Sequence, residues 1–192
     1  MDREWDGPVG EVAFCGGIAM FRADVFANVQ GFREDLIAGE EPELCLRLRA
    51  AGWHVHRVAA EMAVHDAAMT RFGQWWQRSR RAGFAYAQGA HLHGAAPTRH
   101  WVREARRAWV WGLALPVVSL SLAVLWHAAA LVLLLAYPLQ VLRLFLRERG
   151  SIRERSEQAV FLVLGKFAEA QGWLAWQAVR WNGGTRALIE YK

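Results

Sequence analysis

The chain has 192 residues, a formal net charge of +5 and a hydrophobic share of 54%. That length allows one domain of ordinary size, or a smaller domain with an appendage. Two cysteines, Cys15 and Cys45, are too few for a disulfide framework, and no C-x-x-C pair suggests zinc, so reduced thiols in a cytoplasmic compartment are expected. Lysine stands only at Lys166 and Lys192; arginine supplies the rest of the positive charge. A basic balance is one mark of a nucleic-acid binder. Here the arginines cluster beside long apolar stretches, which points to a membrane surface and away from nucleic acid. The N-terminal "MDREWDGPVGEVAF" lacks the basic region and apolar core of a signal peptide, so any membrane insertion is expected from internal segments.

The first apolar run, Val12 to Phe14, reads as a short buried strand. Gly16 and Gly17 break it, and "IAMF" resumes as a strand. "RADVFANV" reads as a short helix with Asp24 in its first turn, where a carboxylate suits the helix dipole. Gly31 ends it as a C′ residue would. A second helix is expected to start near Pro42, since proline suits a first helical position. Leu44, Leu48 and Ala51 share a face of it, with Cys45 beside them, and Gly52 ends it. "WHVHRV" alternates and reads as a strand. Strand, helix, helix, strand is the order of an α/β domain.

"AAMTRFGQWWQRSRRAGFAYAQGAHLHG" is basic and aromatic, and reads as a helix at a lipid interface, with Thr70 as its N-cap. "GAAPT" breaks it. No charged residue stands between Arg107 and Arg143. As one helix that stretch would run roughly 52 Å, too long for a single ~30 Å hydrocarbon core. Two spans, roughly 108–125 and 128–146, with a turn near Trp126 and His127, fit better. Arg103, Arg106 and Arg107 precede the pair; Arg143, Arg147, Arg149 and Arg153 follow it. A hairpin returns both basic flanks to one face, which the positive-inside rule makes cytoplasmic. The apolar stretch that follows carries Glu157, Lys166, Glu169 and Arg180 and reads as an amphipathic or interfacial helix, or as a third span.

"GEEPELCLRLRAAGW" gathers Glu40, Glu41 and Glu43 at the mouth of the second helix. Helix-dipole stabilisation, ~0.3–1 kcal/mol, accounts for one such acid easily and for three poorly, because adjacent like charges repel. The surrounding segment "FCGGIAMFRADVFANVQGF...LIAGEEPELCLRLRAAGW" resembles the acceptor half of the glycosyltransferase family 2 proteins, which have the GT-A fold. Gly16 and Gly17 match the family's Gly-rich loop, Arg22 its helix start and Gln30–Gly31–Phe32 its turn. Glu40–Glu41 match its acidic pair, usually Glu-Asp, and Leu44 to Leu48 the helix pattern after it. The resemblance covers roughly residues 10 to 66. It implies that Glu41 is the general base of an inverting sugar transfer, with Glu40 as the other candidate. An acceptor hydroxyl is a poor nucleophile at neutral pH, so a carboxylate must take its proton as the oxygen attacks the anomeric carbon. Glu43 is expected to be an exposed first-turn acid.

By the same resemblance His65, beside Asp66, matches a histidine that serves as a metal ligand in such enzymes, and a divalent ion, Mg or Mn, is implied with an upstream Asp-x-Asp. The other reading of His65 is an ordinary loop histidine. His54 and His56 alternate on a strand and read as structural. Gln74, Gln77, Arg78 and Arg81 lie where processive members carry Gln-x-x-Arg-Trp, but the tryptophan after the arginine is missing, which puts processive synthesis in doubt. Arg78 and Arg81 suit diphosphate oxygens, and equally lipid phosphates. No Asp-x-Asp occurs, so the chain reads as starting inside the fold, and alone it is expected to lack donor binding and activity.

The expected fold class is therefore α/β: a partial GT-A, Rossmann-like domain with an interfacial helix over 1–100, then a membrane region with a transmembrane hairpin and a C-terminal amphipathic helix over 101–192. The expected partners are a nucleotide-sugar donor, a lipid-linked or glycan acceptor and the membrane. The expected location is the cytoplasmic face of a bacterial inner membrane. The rival reading is a non-catalytic membrane scaffold or remnant, whose acids only cap a helix.

Overall fold

The computed structural model describes residues 9–16, 18–60 and 69–183. The chain forms two compact units, Met1–Arg71 and Phe72–Lys192. In the first, strand β1 (Gly10–Val12) pairs antiparallel with β2 (Val55–Arg57), with Val12 opposite Val55. Glu11 and His56 face solvent while their neighbours are half-buried, the period of two expected of a strand. His54 Nδ1 and Glu11 Oε1 lie 2.9 Å apart, a hydrogen bond that holds the Glu11 carboxyl below its ordinary value.

Helix α1 (Ala23–Asn28) has Asp24 in its first turn, as the sequence leads one to expect, paired with Arg22 at 2.8 Å. Its exit is a Schellman turn: Gly31 N–H donates to Phe26 C=O at 2.9 Å and Gln30 N–H to Ala27 C=O at 2.9 Å. The C′ residue is thus Gln30, at φ 64°, one position before the expected Gly31. Gly31 follows at φ 59°, and a Cβ there would come within 2.9 Å of the Phe26 ring. Helix α2 (Glu40–Ala50) opens two residues before the expected start, behind Gly39 at φ 81°. Pro42 still fits, because the N–H groups of the first turn have no helical partner. A second Schellman turn closes α2, with Gly52 at φ 84° where the sequence places it and Trp53 N–H donating to Leu48 C=O at 3.0 Å. Val25, Leu44 and Leu48 form the core between the two helices, with Phe21, Phe26 and Val29 packed on it.

Two strand expectations are corrected. The first strand lies at Gly10–Val12, not Val12–Phe14, and residues 18–21 form no strand. The single antiparallel pair among the described residues does not confirm Rossmann-like layering.

The second unit is helical: α3 (Phe72–His93), α4 (Val102–Trp109), a π-helical turn (Val110–Ala114), α5 (Leu115–Leu125), a 3-10 helix (Ala128–Leu135), α6 (Ala136–Arg147) and α7 (Ile152–Asn182). Helix α3, which the sequence groups with the first hundred residues, belongs to this unit. It meets α7 at glycines: a Cβ on Gly83 would lie 2.0 Å from Glu169 O, and one on Gly172 1.9 Å from Arg80 O. Trp75 packs edge-on to Phe161 at 4.9 Å and Phe84 to Trp176 at 5.4 Å on either side of that close approach. Helix α7 starts with a capping box, Ser151 and Glu154 bonding each other's backbone N–H.

Val102–Leu125 and Ala128–Arg147 are each long and apolar enough to cross a membrane, and their most apolar windows are only 11% and 0% buried. The turn between them falls at Trp126 and His127, as expected. Its signal is neither Gly nor Pro: the His127 ring nitrogen caps the next helix by accepting from Ala129 N–H at 3.0 Å. The two stretches return to each other. Tyr137 O–H donates to Trp111 C=O at 2.6 Å, and the two rings are 6.0 Å apart.

Candidate active site

The first unit holds a cleft of roughly 410 Å³ lined by Cys15, Gly16, Phe21, Phe26, Phe32 and Glu41, together with two alanines. Each wall follows from local sequence. Gly16 lies in the loop after β1. Phe21 and Phe26 flank the start of α1 and pack against each other at 5.7 Å. The Schellman turn at Gln30–Gly31 throws Phe32 back onto them, edge-on to Phe26 at 5.4 Å. Glu41 is in the first turn of α2. It is half-buried, and its carboxyl is pushed above its ordinary value by burial, then by the negative charge of Glu40. A carboxylate in that state holds a proton more readily than a solvated one.

The three acids thus take different places. Glu41 lines the cleft. Glu40 is half-buried in the same turn and acts on Glu41 through its charge. Glu43 is not the exposed acid the sequence suggests: it is 1% exposed. The reason is Arg47, one turn on, whose Nε lies 2.9 Å from both Glu43 carboxylate oxygens. The same guanidinium donates to Val29 C=O and, at 2.6 Å, to Gly31 C=O. A buried carboxylate is tolerable when paired and hydrogen-bonded in this way. The i, i+4 spacing of Glu43 and Arg47 is visible in the sequence; the carbonyls at the end of α1 are not.

Cys15 and Cys45, thirty residues apart, also meet. Their Sγ atoms are 3.4 Å apart and Cys15 N–H donates to Cys45 Sγ at 3.4 Å. Both are free thiols. The hydrogen bond from Cys15 lowers the Cys45 thiol to about 7 against the opposing effect of burial, and the same bond with burial raises Cys15. Nothing in the sequence announced this pairing.

Arg78 and Arg81 stand three positions apart on α3, in the second unit, both half-buried. Gly17, His65 and Asp66 lie outside the described residues. Among the described residues no three His, Cys, Asp or Glu side chains form a metal-ligand set, and the expected ligand His65 is not one of them.

The sequence matches the family described as Glycosyl transferase family group 2 over residues 5–164. The chain belongs to that family. The match takes in the cleft, α2 and both apolar stretches of this glycosyltransferase-family chain. Neither a curated protein nor a solved structure matches it.

Proposed function

We propose that this family 2 chain carries the acceptor side of an inverting glycosyl transfer, from a nucleotide sugar to a lipid-linked or polysaccharide acceptor. We place it at the cytoplasmic face of a bacterial inner membrane. The observation that carries the reading is Glu41: half-buried, raised in proton affinity and facing a cleft whose other wall is the Gly16 loop.

In this reading the acceptor hydroxyl enters the cleft and Glu41 takes its proton as the oxygen attacks the anomeric carbon, with departure of the nucleoside diphosphate. A base with a raised pKa is a better proton acceptor at the moment of attack. Gly16 leaves backbone room for the sugar, because no side chain stands in the loop there. The Phe21, Phe26 and Phe32 rings offer an apolar wall for the C–H face of a sugar ring. Arg78 and Arg81 are proposed to bind phosphate, of the leaving diphosphate or of lipid headgroups. Two apolar helices with exposed side chains support a membrane hairpin. Anchoring beside a lipid-borne acceptor would raise its effective concentration. A divalent ion would need donors beyond those described.

The test uses native membranes of cells that carry the gene. Transfer from labelled nucleotide sugars is compared in wild type, a deletion strain and a strain whose chromosomal copy encodes Glu41→Gln. Loss of one transfer on deletion, reproduced in Glu41→Gln at unchanged chain level, supports the reading; the rate should fall by about 10²-fold or more. If deletion alters no transfer, the scaffold reading replaces it. If Glu41→Gln is as active as wild type, Glu41 is not the base.

A further inference from the structure

The Cys15–Cys45 contact is unexplained by glycosyl transfer. Two free thiols sit at van der Waals distance across a chain separation of thirty residues, with a backbone N–H aimed at one of them. Cys45 is fully buried in α2; Cys15 is half-buried and lines the cleft. We propose that Cys15 and Cys45 form a reversible dithiol–disulfide modification site, oxidised by a low-molecular-weight disulfide that enters through the cleft.

The chemistry balances in two exchanges. Cys15 gives its proton to solvent and its sulfur attacks the incoming disulfide, forming a mixed disulfide and releasing one small thiolate. Cys45 then gives up its own proton and attacks the Cys15 sulfur as a thiolate, forming the protein disulfide and releasing the second small thiolate; the two small thiolates take up the two protons. Two protein thiols become one disulfide, and one small disulfide becomes two small thiols. The order follows from access: only Cys15 reaches the cleft. The roles also follow from geometry: Cys45 accepts from the Cys15 N–H, a bond that does not depend on the Cys15 thiol and so still favours the Cys45 thiolate once Cys15 is in the mixed disulfide.

The geometry asks for little movement. The sulfurs must close from 3.4 Å to about 2.05 Å. Cys15 is on the loop next to Gly16, so the loop can supply that shift while α2 stays fixed. The bridge would tie the Gly16 wall of the cleft to α2, which carries Glu41. A reversible bridge of this kind suits a reducing compartment, where disulfides serve as switches and not as braces. The proposal does not rest on the transfer reaction; it needs only the two thiols and the cleft.

The experiment uses the full chain in detergent or native membranes. It is equilibrated in glutathione buffers from fully reduced to fully oxidised, quenched with N-ethylmaleimide in denaturant so that the buried Cys45 is also labelled, digested without reductant and read by mass spectrometry. The expected result is a linked pair of peptides carrying Cys15 and Cys45, with maleimide labelling of both falling together by about tenfold or more and returning on reduction. Cys45→Ser should instead collect glutathione on Cys15, and Cys15→Ser should leave Cys45 unmodified. Three results would overturn the proposal: both thiols labelled at every poise, glutathione retained on Cys15 of the wild type with Cys45 still labelled, or a Cys15→Ser chain whose Cys45 is modified as fast as wild type. The wild-type labelling alone decides the matter if either variant fails to fold.

Discussion

Arg47 holds Glu43 and the exit of α1 together: its guanidinium reaches both oxygens of the Glu43 carboxylate and the carbonyls of Val29 and Gly31. Glu43 and Arg47 are on α2, and the two carbonyls close the turn that delivers Phe32 to the cleft. One side chain therefore fixes α2, with Glu41 in its first turn, against the aromatic wall.

Arg47→Met should unfold the first unit readily. It keeps the apolar stem but leaves Glu43 buried without a partner and strips two carbonyls of their donor. Breaking a buried pair by removing one partner costs about 3–5 kcal/mol. The double change Arg47→Met with Glu43→Leu should recover part of that loss, because no charge is left stranded. Thermal unfolding of the full chain, compared across the single and double variants, measures both steps. A single variant as stable as wild type would mean that the pair does not anchor α2.

Much of this unit was legible in the sequence. Gly31 and Gly52 stood at the helix ends; α2 was expected from Pro42 and opens two residues earlier, and of Leu44, Leu48 and Ala51, read as one face, the leucines are buried while Ala51 is exposed. What failed had long-range causes. "IAMF" is apolar enough for a strand, yet no partner strand lies beside it among the described residues, and a strand exists only by pairing. Glu43 looked exposed because a first-turn acid usually is; its burial depends on carbonyls a dozen or more residues away. The cysteine contact spans thirty residues and left no local signal. In the second unit the hairpin was legible as a long uncharged stretch between arginines. The place of its turn, at Trp126 and His127, was legible too; its means was not, because a histidine ring supplies the cap where Gly or Pro would be looked for. The start of α7 did have a local signal, the plain S-x-x-E signature of the Ser151–Glu154 capping box.

The charge of Glu40 should be visible in a pH profile. Glu41 must be ionised to act as a base, so activity falls as pH drops through its raised pKa. Glu40→Gln removes the like charge that contributes to the rise. The acidic limb of the profile should then move to lower pH, with little change at its plateau. A limb that stays in place would show that Glu40 does not act on the base. The stability effect of Glu41 has the opposite sense to that of a paired acid. Its folded carboxyl is raised, so its contribution favours the fold at low pH and is lost as pH rises through that raised value. Glu41→Gln should therefore be inactive yet no less stable than wild type at neutral pH.

The approach of α3 to α7 should tolerate no side chain at its glycines. A Cβ at Gly172 would lie 1.9 Å from Arg80 O, and at Gly83 2.0 Å from Glu169 O, both backbone atoms that cannot rotate aside. Gly172→Ala and Gly83→Ala should each force the helices apart and cost about 1–3 kcal/mol or more by overpacking. Gly73, where an added Cβ would meet nothing within 4 Å, is the control: Gly73→Ala should be neutral or slightly stabilising through helix propensity. Denaturation in detergent followed by Trp fluorescence separates the two cases. Equal midpoints for Gly73→Ala and Gly172→Ala would disprove the close approach.

The two apolar stretches are joined at a place where the backbone is short of a donor. Residues 110–114 form a π-helical turn, and Leu115 N–H donates to Val110 C=O, five residues back. Carried one residue further, that pattern would have residue 116 donate to Trp111 C=O. Residue 116 is proline and has no N–H. The Tyr137 hydroxyl donates there instead, at 2.6 Å. In the proposed membrane hairpin an unpaired carbonyl would have no water to turn to, so this contact would satisfy the backbone and pin the hairpin at once. Tyr137→Phe keeps the ring against Trp111 and removes only the hydroxyl. It should cost about 0.6–1.7 kcal/mol, the range of hydrogen bonds between membrane helices. Pro116→Ala should make that cost smaller, because the new N–H can serve Trp111 from within its own helix. Unfolding midpoints in mixed detergent for the two single variants and the double variant give the coupling directly, and additive losses would mean that the hydroxyl and the proline act independently.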